Sequence, residues 1–164
     1  MNIINDLNEG FRLGMRTLAA GVSVISAVNG EERAAMTVSS LTSVSDQPPS
    51  LLVCVNKATR MDTIIENADR FVVNILASHQ QDVSNICARA EAGEQRFETG
   101  DWAKDELSGQ YYLADALTVF ICEKTQTVEY GTHNVVFGNI IEVRRVAEPH
   151  QPLIYVNGSY LDKV

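Results

Sequence analysis

Ala34-Ala35-Met36-Thr37-Val38-Ser39-Ser40 lies between two strand-like runs, residues 22–28 before it and 51–55 after it. The stretch carries no charge and no proline, only small, hydroxyl and apolar side chains. A strand of this composition leaves backbone N–H groups and hydroxyls accessible to a flat partner with a polar edge. The same composition also suits a closely packed core, and the residues alone leave both readings open. Just upstream, Asn29-Gly30 is a hairpin dipeptide, so residues 33–40 are predicted to return antiparallel against residues 22–28.

Outward from that hairpin, Leu7, Phe11, Met15 and Leu18 recur at helical spacing, with Asn5 or Asp6 as cap and Gly21 as a stop. Downstream, Asp46-Gln47-Pro48-Pro49 is expected to break regular structure. The strand at residues 50–56 does not alternate apolar with polar, which predicts burial on both faces. After the polar Lys57-Ala58-Thr59-Arg60, a helix places Met61, Ile64, Ile65 and Ala68 on one side, and Thr59 with Asp62 has the form of a capping box. A strand at 70–76 precedes a helix with Val83, Ile86, Cys87 and Ala90 on one face. Residues 92–110 are polar; Arg96-Phe97 and Trp102 suggest a loop folded over something, and Arg96-Phe97 equally fits a clamp on a ligand or the closure of a core edge. Two long strands, 116–129 and 134–145, meet at Tyr130-Gly131-Thr132-His133, and a short strand at 153–156 ends at Asn157-Gly158-Ser159-Tyr160. Roughly six strands with few helices and no regular β-α alternation predict a closed or partly closed β-barrel. Neither a repeat nor a linker is visible, so residues 1–164 read as one domain.

The net charge of -8, from 21 acidic and 13 basic residues, provides no basic footprint for nucleic acid or anionic lipid. No apolar run approaches the length of a membrane span. The opening Met1-Asn2-Ile3-Ile4-Asn5-Asp6 has no basic leader pattern, and a cytoplasmic protein is expected. Cys54, Cys87 and Cys122 are far apart, in apolar runs, and are expected to be buried, inert thiols.

Two places have chemistry to offer. The segment Asn56, Lys57, Ala58, Thr59, Arg60 joins a strand end to a helix N-terminus, where free N–H groups, the helix dipole and two cations favour an anion. It also reads as an ordinary capped surface helix with solvated charges. His133, in a turn between strands, suits orientation of a substrate or proton transfer, and equally a structural hydrogen bond. His79 and His150 are weaker candidates. Dinucleotide-fold glycine motifs, a phosphate loop, a nucleophile elbow and metal-spaced ligand clusters are all missing from the sequence.

Several stretches together match one pattern. They are Phe11-Arg12, Met36-Thr37-Val38-Ser39-Ser40, Ser43-Val44-Ser45 before Pro48-Pro49-Ser50-Leu51, Val53-Cys54-Val55-Asn56, Val73-Asn74-Ile75-Leu76, Gln95-Arg96-Phe97, Gly131-Thr132-His133 and Leu153-Ile154-Tyr155. In this order and spacing the chain resembles the short-chain flavin reductases of two-component flavin monooxygenases, most of all the subgroup serving 4-hydroxyphenylacetate 3-monooxygenases. The resemblance implies a mainly β fold with helices, a Greek-key split β-barrel of the FMN-binding type, paired as a homodimer. It implies hydride transfer from NADH, sometimes NADPH, to FAD or FMN, and diffusion of the reduced flavin to a separate oxygenase. By the same resemblance, Met36, Thr37, Val38, Ser39 and Ser40 would line the isoalloxazine and ribityl region. Asn56, Lys57, Ala58, Thr59 and Arg60 would surround the ribityl and phosphate. Arg96 and Phe97 would close over the flavin, His133 would lie near the nicotinamide, and Tyr160 would border the site. Many members have Gly-Asp-His where this chain has Gly131-Thr132-His133, and the 57–60 loop is more basic than in relatives, which bears on the choice between FAD and FMN.

Hydride chemistry belongs to the cofactors, so such a protein needs no nucleophile or metal of its own. It must align donor and acceptor at roughly 3–3.5 Å and place donors where the reduced ring gathers charge. Two other functions compete: a non-enzymatic flavin-binding electron carrier or sensor on the same fold, and a cofactor-free β-barrel interaction module using the loop around Trp102.

Overall fold

The computed structural model describes residues 3–147 and 150–161. Among them are three α-helices, Leu7–Arg16 (α1), Arg60–Asn67 (α2) and Gln81–Ala88 (α3). The strands are Ala20–Gly21 (β1), Ser23–Asn29 (β2), Glu32–Val38 (β3), Thr42–Asp46 (β4), Pro49–Asn56 (β5) and Arg70–Ile75 (β6). They continue with Trp102–Lys104 (β7), Tyr111–Leu113 (β8), Thr118–Tyr130 (β9), His133–Arg145 (β10), Ile154–Val156 (β11) and Ser159–Tyr160 (β12). The fold is thus mainly β with short helices.

The expected hairpin is the seed of the sheet. Asn29 pairs with Glu32 and Ile25 with Met36, and Gly30 opens the turn at φ 62°, a conformation that costs glycine little. Seven antiparallel strands follow in the order β3-β2-β6-β9-β10-β5-β4, with β3 and β4 at the edges. One buried cluster nevertheless holds Ala34 and Val38 of β3 together with Leu51, Val53 and Val55 of β5. The two sides of the sheet therefore curl towards each other around a shared core. Met61, Ile64 and Ile65 of α2 fill that core and are each 1% exposed. Phe71 crosses it fully buried. Gly138 makes room for the ring: a Cβ there would lie 2.6 Å from Phe71 Cζ.

Helix α2 is fixed at both ends. The Thr59 hydroxyl accepts from the Asp62 N–H at 3.4 Å, and Lys124 Nζ donates to the carbonyls of Ile65 (2.9 Å) and Glu66 (2.6 Å) at the other end. A cation on terminal carbonyls also opposes the negative end of the helix dipole. Only half of the expected capping box forms, because the Asp62 carboxylate turns away to accept from Asn134 Nδ2 at 2.8 Å.

A second core lies on the sheet's other face. Val22, Val24 and Val72 meet Val83 and Cys87 of α3 there, with Leu113 and Leu153. Asn74, fully buried, is satisfied from two sides: Nδ2 donates to Val24 C=O at 2.9 Å and Oδ1 accepts from Leu113 N–H at 2.8 Å. Ser26 Oγ donates to Tyr111 C=O at 2.6 Å. These bonds hold the small β7–β8 sheet over β2.

Several expectations are corrected. Gly21 does not stop the first helix; α1 ends at Arg16 with Thr17 as C-cap, and Gly21 pairs with Ile154 in a separate small sheet. Residues 46–49 form a hairpin turn, with β4 pairing back on β5; β4 is all polar apart from one half-exposed Val44, so its sequence carries no strand signal. β5 is not buried on both faces: Leu51, Val53 and Val55 are buried while Leu52 and Cys54 are half-buried. Cys54 is accordingly not a core thiol, whereas burial pushes Cys87 and Cys122 up to about 12. Ala90 lies past the end of α3, in a run of 3-10 turns at Ala90–Phe97.

Candidate functional site

A cavity of about 600 Å3 opens between the end of β3, helix α3 and the β11–β12 hairpin. Met36, Thr37, Val38 and Ser39 form one wall, Ser84, Asn85 and Ala88 a second, Tyr155 and Tyr160 a third. Its size lies within the range of small-molecule sites. The hairpin is shaped by Asn157 and Gly158, both with positive φ (54° and 85°), the two-residue turn that matches strand twist. That turn folds Tyr160 back to face Tyr155, ring centroids 5.3 Å apart.

The walls are tied together by hydroxyls. Thr37 Oγ1 donates to Ser84 C=O at 2.7 Å, joining β3 to α3. Tyr160 OH lies 2.8 Å from Ser84 Oγ and 3.1 Å from Asn85 Oδ1, joining the hairpin to α3. Val38 puts its side chain into the core. Ser39 is exposed at the mouth. Ser40 Oγ accepts from Cys54 N–H at 3.1 Å and lies 3.2 Å from Cys54 C=O as donor, a link from the end of β3 to β5.

Two residues along β5, the 56–60 segment forms a second cluster. Asn56 Oδ1 accepts from Ala58 N–H at 2.9 Å, and Thr59 Oγ1 donates to Asn56 C=O at 2.7 Å. His133 stands opposite Asn56 in the β10–β5 ladder. Thr132 Oγ1 lies 2.9 Å from His133 Nδ1. The cations here have partners: Lys57 Nζ meets Glu129 at 2.5 Å and Arg60 meets Glu32 at 3.6 Å. The hydrogen bond from Lys57, and then its charge, hold the Glu129 carboxyl below its usual range.

Arg96 and Phe97 belong to a third cluster and do not line the cavity. Arg96 is 7% exposed and its guanidinium donates to the carbonyls of Arg89 and Ala90, so it ties down the chain leaving α3. Phe97 packs on Trp102 at 4.9 Å, and the Arg33 guanidinium lies over Phe97 and Tyr111 at 4.0 and 4.4 Å. As expected, the loop is folded over something: Phe97 and Trp102 pack against the second core, and Phe97 also lies under Arg33. His79 pairs with Asp115 at 3.7 Å, and among the described residues no cluster of His, Cys, Asp and Glu is arranged to hold a metal.

The structure thus brings Met36, Thr37, Val38 and Ser39 together with Tyr160, and Asn56 and Lys57 together with His133, with Ser40 on Cys54 as the link. Sequence reasoning missed Ser84 and Asn85. Their helix showed only its apolar face, and the one available signal was a Ser-Asn pair beside that face.

Comparison with known proteins converges on one family. The family model described as "Flavin reductase like domain" matches residues 15–162. The reductase component of the FADH(2)-dependent resorcinol hydroxylase of Rhizobium sp. is 36% identical over 156 residues, covering 94% of this chain and 86% of that protein. The FMN reductase (NADH) RutF of Pseudomonas syringae is 36% identical over 151 residues, covering 92% and 83%. The NADH:FAD oxidoreductase SgcE6 of Streptomyces globisporus superposes with a TM-score of 0.89 at 27% identity, covering 98% of this chain and 95% of that one. With the hydroxyl-lined cavity placed on the same strand that the sequence singled out, the chain belongs to the flavin reductase like domain family.

Proposed function

We propose that this protein is an NADH-dependent flavin reductase that supplies reduced FAD or FMN to a separate flavin-dependent monooxygenase. The observation that carries the reading is the cavity walled by Met36, Thr37, Val38, Ser39 and Tyr160 in a chain of this family. Relatives support it: the resorcinol hydroxylase component, RutF, and the flavin reductase component of a bacterial two-component tryptophan halogenase, BorF. An aromatic hydroxylase, such as a 4-hydroxyphenylacetate 3-monooxygenase, is the oxygenase we infer. The naming of RutF and SgcE6 supports NADH as the nicotinamide.

The residues present fit a flavin. The cavity combines apolar wall, from Met36 and Ala88, with polar groups on Ser39, Asn85 and Tyr160, the mixture that a ring with one greasy and one polar edge requires. Met36, Thr37, Val38, Ser39 and Ser40 would hold the ring and ribityl chain, largely through backbone, since the Thr37 and Ser40 hydroxyls already bond within the protein. Asn56, Lys57, Ala58, Thr59 and Arg60 would take the ribityl and phosphate end, where the α2 N-terminus favours an anion. His133, fixed by Thr132, would position the nicotinamide. When bound, the flavin supplies the hydride acceptor and the nicotinamide the hydride. Arg96 and Phe97 would act at one remove, by holding the segment after α3.

The architecture we infer is one domain, a split barrel, pairing as a homodimer in the cytoplasm. The support for the pairing is exposed apolar surface: Leu7, Phe11 and Leu18 at the N-terminus are 84, 68 and 63% exposed, and Val128, Tyr130 and Val143 on β9 and β10 are 39, 82 and 51% exposed.

The test is direct. Purified protein with NADH and either FAD or FMN consumes NADH catalytically, followed by loss of NADH absorbance. No turnover with any combination of flavin and nicotinamide removes the reading.

A further inference from the structure

We propose, resting on the flavin reductase reading, that Asn85 reads the polar edge of the flat ligand. Its side-chain amide N–H donates to a carbonyl oxygen, either on the flavin ring or on the nicotinamide carboxamide. Ser84 and Tyr160 are the positioning residues that aim it.

The direction of the hydrogen-bond chain carries this. Ser84 is fully buried, and the one side-chain partner of its Oγ is Tyr160 OH at 2.8 Å. Tyr160 OH has a single proton and donates it to Asn85 Oδ1 at 3.1 Å. Ser84 must then be the donor to Tyr160. Run the other way, Asn85 would donate to Tyr160 and Tyr160 to Ser84, leaving the Ser84 proton in the interior without this partner, which is costly. In the favoured direction, the Asn85 carbonyl oxygen is occupied and its NH2 group is left to the cavity that Asn85 lines. An amide has two donors and one oxygen, so fixing the oxygen fixes where the donors go.

The surroundings agree. The Ser84 carbonyl is taken by Thr37 Oγ1 at 2.7 Å, which anchors this turn of α3 to the strand carrying Met36, Thr37 and Val38. Asn85 is exposed, so no packing demand explains an Asn held this way. A donor opposite the Met36–Ser39 wall selects a ligand with an acceptor edge.

Asn85→Asp tests it, because it keeps shape and replaces the donor with an acceptor. In one arm, wild type and variant are titrated with oxidised FMN and FAD, without nicotinamide, by flavin fluorescence. In the other, the KM for NADH is measured at saturating flavin. We expect N85D to weaken one of the two by about tenfold or more. An effect in the first arm identifies the flavin carbonyl; an effect in the second identifies the carboxamide. Tyr160→Phe should weaken the same ligand by about threefold and reduce the N85D penalty in the double variant, since the two act as one unit. N85D that matches wild type in both arms, with an unchanged melting temperature, overturns the role of Asn85. Strict additivity with Y160F overturns the aiming by Tyr160. If wild type turns over while N85D is normal, only the Asn85 assignment falls. If wild type binds flavin but shows no turnover, and N85D weakens that binding, the reductase reading falls and the Asn85 assignment stands. If wild type binds no flavin and shows no turnover, both fall.

Discussion

His133 and Asn56 stand opposite each other across the β10–β5 ladder, and one step further the Lys57 N–H donates to the Thr132 carbonyl at 3.0 Å. The turn that carries the histidine is therefore fastened to the loop that would hold the flavin phosphate. Replacing His133 with Ala should lower kcat/KM for NADH by about tenfold or more, the scale of lost alignment, and leave the flavin dissociation constant unchanged. Stopped-flow reduction together with flavin titration measures both. A variant with wild-type reduction kinetics removes His133 from the nicotinamide site.

Ser40 tests the other link. Its hydroxyl bonds both the N–H and the C=O of Cys54, joining the edge strand β3 to β5. Ser40→Ala leaves both backbone groups without that partner and should cost about 1–3 kcal/mol of stability. Urea unfolding reads this directly, and an unchanged midpoint would show that the link contributes nothing.

Gly138 is the point of closest approach in the core. An added methyl would meet Phe71 Cζ at 2.6 Å, Cε1 at 2.7 Å and Cys122 Cβ at 2.9 Å. Phe71 is fully buried and has no room to retreat. Gly138→Ala should destabilise by about 1–3 kcal/mol through overpacking. Chemical denaturation is the measurement; a variant as stable as wild type would mean that β10 yields at this point.

Acid should uncover Asp105. Its bonds to Ser108, and then to Arg144 at 2.5 Å, lower its pKa from the ordinary 3.8 to about 2. A carboxyl depressed in the folded state adds stability that is complete above the unfolded value and lost as pH falls through the folded one. The stability gap between wild type and Asp105→Asn should therefore be constant near neutrality and shrink from about pH 4 towards pH 2. Melts across that range decide it, and a gap independent of pH refutes the assignment.

How much of this was legible in the chain depends on what each residue had to announce. Asn29-Gly30 and Thr59 act through their own backbone, so the hairpin and the start of α2 could be read locally. The 36–40 stretch stood out because an uncharged, proline-free run carrying the hydroxyls of Thr37, Ser39 and Ser40 lies between apolar strands. Thr42–Asp46 could not be recognised, since a polar edge strand takes its order from pairing with β5. Cys54 was misjudged because an unbroken apolar run hides which face is covered. Arg96-Phe97 read equally as a clamp for a ligand and as the closure of a core edge, and the burial of Arg96 against the carbonyls of Arg89 and Ala90 depends on how the chain turns after α3. Asn85 was invisible because its meaning comes from Tyr160, 75 residues away.

Helix α1 makes the last prediction. It is well capped, with Asp6 accepting from the N–H groups of Asn8 and Glu9 at 2.8 and 3.0 Å, yet none of its residues is buried. Ten residues are too few for an isolated helix to persist in water, where about 12–15 are already marginal. Its stripe of Leu7, Phe11 and Met15 is 84, 68 and 50% exposed. A helix this short with its apolar face uncovered needs a surface to lie on, and a second copy of the chain is the partner consistent with the homodimer reading. Wild type should elute as a dimer by size exclusion with light scattering. Phe11→Glu should shift it towards monomer, because a carboxylate buried in that contact has no partner on the stripe. A monomeric wild type rules out the dimer, and a dimeric Phe11→Glu moves the contact away from α1, to the exposed apolar positions of β9 and β10.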